Sequence, residues 1–345
     1  MNSPFLKEDL SIICEELERL HFEEQTILVT GATGLISSII IKAIHEYNNN
    51  HYRKIRVIGM ARNPYKVSDI YDEELLSDNT ISFVYQDICN PFRSEGCDYI
   101  IHTANSTNSK QFMTIPVEVI DSIYVGSRNM LGFAKKTEAQ GIVYLSSMEV
   151  FGRIDSDRRV SENELGYLDI QNVRSCYSEG KRLVECLCKA FAEEYGVPVR
   201  VARLAQTFGA GVFKNENRVF AQFARSALKG ENIVLHTRGT STGNYIYTRD
   251  AIKAILLLLH KGNIGDVYTV VNEETTMTIY EMANLVANCF SRGKSQVAFD
   301  ISQDNQYGYA PETKLRLSSA KLRGLGWRAE VGIREMYERM LPDLL

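Results

Sequence analysis

The stretch Thr26-Ile-Leu-Val-Thr30-Gly31-Ala-Thr-Gly34-Leu-Ile-Ser37 decides the fold. A short apolar run ends at one glycine, a second glycine follows three residues later, and an apolar stretch with helical spacing begins directly after it. A strand that turns this tightly into a helix puts Gly31 and Gly34 where the backbone comes close to a pyrophosphate. The helix N-terminus then offers free N–H groups and the positive end of its dipole. The spacing is G-x-x-G rather than G-x-G-x-x-G. Ser37 stands where a third glycine often lies, and a residue that small still lets the helix pack closely.

Outward from this turn, short apolar strands alternate with helical stretches from residue 26 to about 205, the pattern of a parallel sheet covered on both faces. Candidate strands cover 26–30, 55–60, 81–85, 99–103, 142–146 and 199–204. The expected architecture is α/β, a Rossmann-like doubly wound parallel sheet. After Gly209 the pattern loosens into a helix over 218–230, short strands over 233–236 and 245–248, and helices over 250–260 and 278–290. This predicts a smaller C-terminal substrate-binding cap over 206–345, with some segments returning to the main domain of 26–205. Within residues 1–25, Leu6, Leu10, Ile13, Leu17 and Leu20 recur at helical spacing. They read as an amphipathic leader helix that docks on the body or on a partner subunit.

The 345 residues are 44% hydrophobic, enough to bury a large core. The 39 basic and 43 acidic residues leave a net charge of -4 and are mixed along the chain, so no nucleic-acid partner is expected. The seven cysteines (Cys14, Cys89, Cys97, Cys176, Cys186, Cys188 and Cys289) are odd in number and scattered, as expected of reduced thiols. Cys176 reads as a redox-sensitive bystander or as a small packing residue. The six histidines show neither H-x-x-x-H nor H-E-x-x-H, so no catalytic metal is expected. The first ten residues are acidic where a signal peptide would be basic and then apolar, and no apolar run reaches about 18 residues. The expectation is a cytoplasmic protein without a membrane partner.

Arg174-Ser-Cys-Tyr177-Ser-Glu-Gly-Lys181 contains a Tyr-x-x-x-Lys pair, which helical i,i+4 spacing brings together. A free phenol titrates near 10, and a neighbouring cation stabilises phenolate, so such a pair can take a proton from a sugar hydroxyl near neutral pH. Alone, in a chain with 18 tyrosines, the plainer reading is a packed ring beside a solvated amine. The glycine turn upstream and Val143-Tyr-Leu-Ser-Ser147-Met-Glu149-Val-Phe-Gly152 between the two shift that balance. At the end of the second strand, where NAD enzymes commonly carry an acid for the ribose diol, Gly59-Met-Ala-Arg62-Asn63 has none. Arg62 paired with a 2′-phosphate favours NADP over NAD; the alternative is a solvated arginine in a surface loop. Asp87, in Gln86-Asp87-Ile88 after the third strand, is placed to meet the adenine amine, or serves as a turn or capping residue.

With these residues assembled, the sequence resembles an extended short-chain dehydrogenase/reductase of the nucleotide-sugar epimerase, dehydratase and decarboxylase group. The likeness runs from about residue 24 to the C-terminus. Seven ordered motifs carry it: Thr30-Gly-Ala-Thr-Gly34, Asp87-Ile88, Ile101-His-Thr-Ala104, Ser146-Ser-Met-Glu-Val-Phe-Gly152, Tyr177-Ser-Glu-Gly-Lys181, Arg203-Leu-Ala-Gln-Thr-Phe-Gly209 and Leu325-Gly-Trp327. The resemblance implies NAD or NADP held by Gly31, Thr33, Gly34, Leu35, Ile36, Arg62, Asp87, Ile88, Thr103, Ala104, Tyr177 and Lys181. It implies that Ser147 hydrogen-bonds the reacting hydroxyl, Tyr177 removes its proton, and Lys181 holds the nicotinamide ribose and lowers the tyrosine pKa. Hydride then passes from sugar C4, and the 4-ketone opens routes to elimination, decarboxylation, inversion or hydride return to the other face. The family context is surface-polysaccharide biosynthesis.

Ser146-Ser-Met-Glu149 bears on the outcome. Family 4,6-dehydratases resemble Thr-Asp-Glu here; Met148 occupies the Asp position and cannot transfer a proton, which counts against ordinary 4,6-dehydration. Glu149 remains available as a base or orienting carboxylate, as in the UDP-glucuronate decarboxylases, whose Arg-Ser-Cys-Tyr-x-Glu-Gly-Lys run is very close to residues 174–181. It could equally bind a substrate hydroxyl or cap a helix. Gln206 replaces a family Asn and Gly243 a family Arg, both tied to substrate phosphate, so the diphosphate pocket is expected to be reshaped. Arg218 matches a phosphate-binding arginine, or is surface charge at a helix start. Asn105, Ser106 and Lys110 follow the fourth strand, where substrate enters, unless that loop is structural. Ser147, Met148, Gln206 and Arg218 complete the substrate-binding set.

The resulting expectation is an NAD(P)-dependent enzyme acting on a nucleotide-linked sugar or polyol, of epimerase type because that chemistry asks only for Ser147, Tyr177 and Lys181. Decarboxylation comes next, then NADPH-dependent reduction of a nucleotide-linked keto sugar or polyol. The contrasting class, a cofactor-sensing regulator, has no need of those three residues together. The resemblance also implies a homodimer built on a four-helix bundle. Leu183, Cys186, Leu187 and Phe191 would face that partner or the sheet beneath.

Overall fold

The computed structural model describes residues 3–92, 96–301 and 312–345. Five strands, β1 (Thr26–Thr30), β2 (Arg56–Ala61), β3 (Ile81–Tyr85), β4 (Tyr99–His102) and β5 (Gly141–Ser147), join Val199–Leu204 and Val267–Val270 in one sheet. The order is β3-β2-β1-β4-β5, then Val199–Leu204, then Val267–Val270 at the edge, and every pairing is parallel. Ile27 and Val29 enter one buried cluster and Leu28 the other, as the two-residue period of a strand demands when both faces are covered. The winding reverses between β1 and β4, and Thr30 lies level with Met60 on one side and His102 on the other. A crevice at the carboxyl ends of strands is expected at such a reversal.

Six expected strands form with shifts of one residue at most. The seventh, Val267–Val270, was not among them; it comes from the C-terminal segment and pairs with Val199–Leu204. The remainder after residue 205 builds small sheets from Gln206–Phe208, Thr242–Tyr247 and Asn272–Thr278, and from Ile233–Leu235 with Val297–Phe299. The helices Val219–Lys229 and Ile279–Phe290 pack beside them.

The helix α1 (Pro4–Arg19) starts at Ser3, whose hydroxyl accepts the Leu6 N–H at 3.3 Å, and Pro4 fits the first helical position. It buries Leu6, Leu10, Ile13 and Leu17 against α2 (Leu35–Asn50) and the helix Thr248–His260. Asp9, buried on that face, accepts from the Tyr247 hydroxyl and pairs with Arg249 at 3.0 Å. The leader therefore docks on the body of its own chain.

Candidate active site

β1 delivers the chain to Gly31, which turns with φ +65°, and a Cβ there would stand 2.8 Å from Thr103 Oγ1 and 3.0 Å from Ala104 Cα. Glycine is needed twice over, for the left-handed backbone and for the approach of the segment leaving β4. Gly34 then caps α2 without a side-chain hydrogen bond, so no side chain competes for the first N–H groups of the helix. Thr30 ties the turn to β4: its Oγ1 accepts the Thr103 and Ala104 N–H groups, both at 3.1 Å. With both lone pairs engaged, the Thr30 hydroxyl donates to His102 Nδ1 at 2.8 Å, which leaves the proton on Nε2 for Ser127 at 3.0 Å. Burial, with the Lys181 charge added, pushes His102 down to about 3, so this strut is neutral.

Above the turn lies a cleft of about 570 Å³. Of the expected residues, Gly31, Thr33, Gly34, Arg62, Ile88, Thr103, Ala104, Asn105 and Ser106 line it; Met60, Asn63, Lys66 and Gln86 join them. Leu35, Ile36 and Asp87 are not on its lining. Asp87 accepts the Cys89 N–H at 2.9 Å and lies 3.6 Å from Arg62, a turn contact that holds its carboxyl below the usual range. Both amide atoms of Asn105 are buried without a hydrogen-bond partner among the described residues. The Ser106 hydroxyl donates to Gln111, and Lys110 lies in the first turn of the short helix Ser109–Thr114.

That short helix links the cleft to the second half of the site. Gln111 lines the cleft, while the ring of Phe112 stacks on Tyr177 at 4.5 Å. Tyr177 and Lys181 lie on the buried face of the helix Ser175–Tyr195, behind the end of β5, where Ser147 caps a short turn by accepting the Glu149 N–H at 3.2 Å. The Lys181 ammonium donates to the Leu145 carbonyl at 2.6 Å and sits 5.8 Å from the centre of the Tyr177 ring. Burial pushes Tyr177 well up, Glu149 adds to the rise, and Ser147, Arg218 and Arg174 oppose it. Lys181 itself is driven down to about 7 by burial, against the pull of Glu185 one turn on. Sequence spacing put the two residues on one face correctly, but could not show that a carbonyl captures the ammonium.

Glu149 is not a free base. Arg174 grips both its oxygens at 2.8 and 3.0 Å, and Ser178 donates to it at 3.3 Å. Met148 packs against the main core. Gln206 Oε1 is buried without a partner among the described residues. Arg218 precedes the helix Val219–Lys229 and pairs with Glu216 at 2.7 Å, and its charge counts among those that oppose the rise of Tyr177. A Cβ at Gly243 would stand 2.1 Å from the Tyr245 hydroxyl, so a side chain there requires that buried ring to shift. Arg174, Phe112 and Lys66 are the residues that sequence reading missed. Arg174 was legible as part of its motif, whereas nothing local marks Phe112. Among the described residues no cluster of His, Cys, Asp and Glu could hold a metal ion, and no helix is long and apolar enough to cross a membrane.

The family described as the NAD dependent epimerase/dehydratase family matches residues 27–272, from β1 through the last strand of the central sheet. The chain belongs to this family. UDP-glucuronic acid decarboxylase 1 of Danio rerio is 28% identical over 320 residues, covering 91% of this chain and 71% of that protein. UDP-glucuronic acid decarboxylase 6 of Arabidopsis thaliana is 27% identical over 320 residues, covering 92% and 88%. The UDP-glucose 4-epimerase structure of Thermotoga maritima superposes with a TM-score of 0.77 at 21% identity, covering 92% of this chain and 98% of that one, and so shares the fold. As an enzyme of the NAD-dependent epimerase/dehydratase family, the chain has a cleft that suits its dinucleotide: a glycine turn that a Cβ would fill and an uncapped helix start meet at the sheet's reversal.

Proposed function

We propose that this chain oxidises C4 of a nucleotide-linked sugar to a 4-ketone and completes an epimerase-type reaction by returning hydride to the opposite face. The cofactor is NAD or NADP, with Arg62 favouring NADP. The observation that carries the reading is the inventory around Tyr177: Ser147 and Lys181 are at hand, Met148 has no proton to give, and both oxygens of Glu149 are held by Arg174. Those groups suffice for hydride exchange and leave no unpaired carboxylate for elimination.

A bound, oxidised nicotinamide would supply the hydride acceptor and a positive charge at the site. Ser147 hydrogen-bonds the C4 hydroxyl and Tyr177 takes its proton. Arg174, Arg218 and Ser147 lower the cost of the phenolate that burial opposes, and Lys181, held on the Leu145 carbonyl, would have its remaining donors for a cofactor ribose. Gly31, Thr33, Gly34, Ile88, Thr103 and Ala104, which line the cleft, would hold the dinucleotide. Asn105, Ser106, Met148, Gln206 and Arg218 would face the substrate. The buried unpaired amide of Asn105 supports this, since it gains most from a ligand that bonds it.

A second reading, decarboxylation of a nucleotide-linked uronic acid, is favoured by the decarboxylase relatives at 27–28% identity. It uses the same 4-ketone to accept the electrons released when the neighbouring carboxylate leaves. Product mass after incubation with UDP-, dTDP-, GDP- and CDP-sugars, uronic acids included, separates the two. Epimerisation changes retention time without changing mass; loss of carbon dioxide establishes the second reading and sinks the first. The working unit is a homodimer. The helices Pro116–Thr137 and Ser175–Tyr195 lie together and present Val117, Ile120, Leu183 and Cys186 outward, whereas Leu187 and Phe191 pack inward.

A further inference from the structure

We infer that Glu185 is a positioning residue for the reaction, a buried counter-charge that is itself secured by Arg203 and holds Lys181 in its cationic form. The inference rests on the reading in which Lys181 serves hydride transfer as an ammonium. Tyr177, Lys181 and Glu185 follow one another at i,i+4 on the buried face of the helix Ser175–Tyr195. The helix meets β5 through two successive strand residues. Lys181 donates to the Leu145 carbonyl at 2.6 Å, and Glu185 accepts from the Ser146 hydroxyl at 2.5 Å. Ser147 follows directly, so one helix face steadies both the lysine and the strand end that carries the serine.

No step of the proposed chemistry uses Glu185, yet its carboxylate is heavily engaged. Arg203, of the strand Val199–Leu204, donates to it from Nε at 3.0 and 3.1 Å and from one terminal nitrogen at 2.7 Å. The other terminal nitrogen donates to the Glu162 carbonyl at 2.8 Å, and the Phe151 ring lies 4.8 Å from the guanidinium. Such a fork compensates the burial of a carboxylate. The other groups around Lys181 bring no negative charge. His102 of β4 is neutral, Tyr144 of β5 offers its ring at 4.6 Å, and burial pushes the Tyr144 and Tyr177 phenols and the Cys188 thiol well up. Glu185 is thus the one carboxylate acting on Lys181 among the described residues. Burial drives that lysine down to about 7 even with Glu185 opposing, so without it Lys181 would be largely a neutral amine at neutral pH.

The test follows Lys181 itself, by carbon NMR of the full-length protein with its lysines labelled at Cε and the signal identified by its loss in Lys181→Arg. Glu185→Gln alone leaves Arg203 buried and unpaired, so Glu185→Gln/Arg203→Met, which removes the pair together, is the second variant. The native midpoint should fall at about 7. Both variants should lower it by at least about one pH unit, the effect of removing one charge a helical turn away at an effective dielectric of roughly 20. Glu185→Asp, which keeps the charge, should hold the midpoint nearer the native value. With UDP-, dTDP-, GDP- and CDP-sugars as substrates, the ratio of native to variant kcat/KM should be at least about 7-fold larger at pH 8 than at pH 5.5, because the ammonium fractions diverge as pH rises. A midpoint unmoved in both variants overturns the inference, and so does a rate ratio that stays level with pH, the mark of a merely structural pair. A moved midpoint in a protein that converts none of these sugars upholds Glu185 as the counter-charge and overturns the reading of the reaction instead.

Discussion

Replacing Gly31 by alanine separates two costs that the structure assigns to different atoms, and Gly196 supplies the control. Gly196 ends the helix Ser175–Tyr195 at φ +67°, nearly the φ of Gly31, but nothing lies within 4 Å of a Cβ built there. Gly196→Ala therefore meets only the left-handed backbone penalty, about 1–2 kcal/mol. Gly31→Ala meets the same penalty and a clash with Thr103 Oγ1 at 2.8 Å and with Ala104 backbone atoms at 3.0 and 3.1 Å. Those atoms are anchored to Thr30 by three hydrogen bonds, so they yield poorly, and overpacking adds about 1–3 kcal/mol. At about 2.1 cal/mol/K of unfolding entropy per residue, a chain of 345 residues loses roughly 1.5 °C in Tm per kcal/mol. The expected falls are then about 1.5–3 °C for Gly196→Ala and about 3–7 °C for Gly31→Ala. Scanning calorimetry reads both, and titration should show dinucleotide affinity lost at least about 10-fold in Gly31→Ala and kept in Gly196→Ala. Equal thermal losses in the two variants would refute the close approach of the β4 segment to the turn.

Tyr177→Phe should lose at least about 10²-fold in kcat while still binding dinucleotide, a split that steady-state rates and titration together read; unchanged turnover would remove Tyr177 from the chemistry. Lys181, depressed to about 7 in the folded protein against about 10.4 unfolded, binds fewer protons folded than unfolded between those values. Native stability should accordingly rise with pH across that window relative to Lys181→Met in denaturant titrations, and parallel pH profiles would deny the burial of the ammonium. Light scattering should return twice the 39.1 kDa chain mass, and a monomer at working concentration would refute the dimer.

Local pattern made the glycine turn, the six strands up to residue 204 and the helix carrying Tyr177 legible, because each is set by neighbours in sequence. Val267–Val270 was not legible. Four residues after Gly265 carry too short a period to register, and their partner strand lies more than sixty residues away. The same distance problem hid the pairing of Glu149 with Arg174, 25 residues apart, and that of Asp9 with Arg249, 240 apart. Both expose a limit of motif reading: Glu149 looks free in sequence and is held on both oxygens in space. Tyr177 shows the converse, since its motif says activated phenol while its burial raises the pKa even with Arg174 and Arg218 opposing.

The central claim is that hydride leaves sugar C4 under the control of Tyr177. The most direct test is a single turnover with a nucleotide sugar deuterated at C4, quenched at intervals and analysed for label on both sugar and nicotinamide. The account predicts that deuterium appears transiently on the nicotinamide and returns to C4, and that Tyr177→Phe abolishes the transfer. Turnover of the sugar with no deuterium ever reaching the dinucleotide would contradict it.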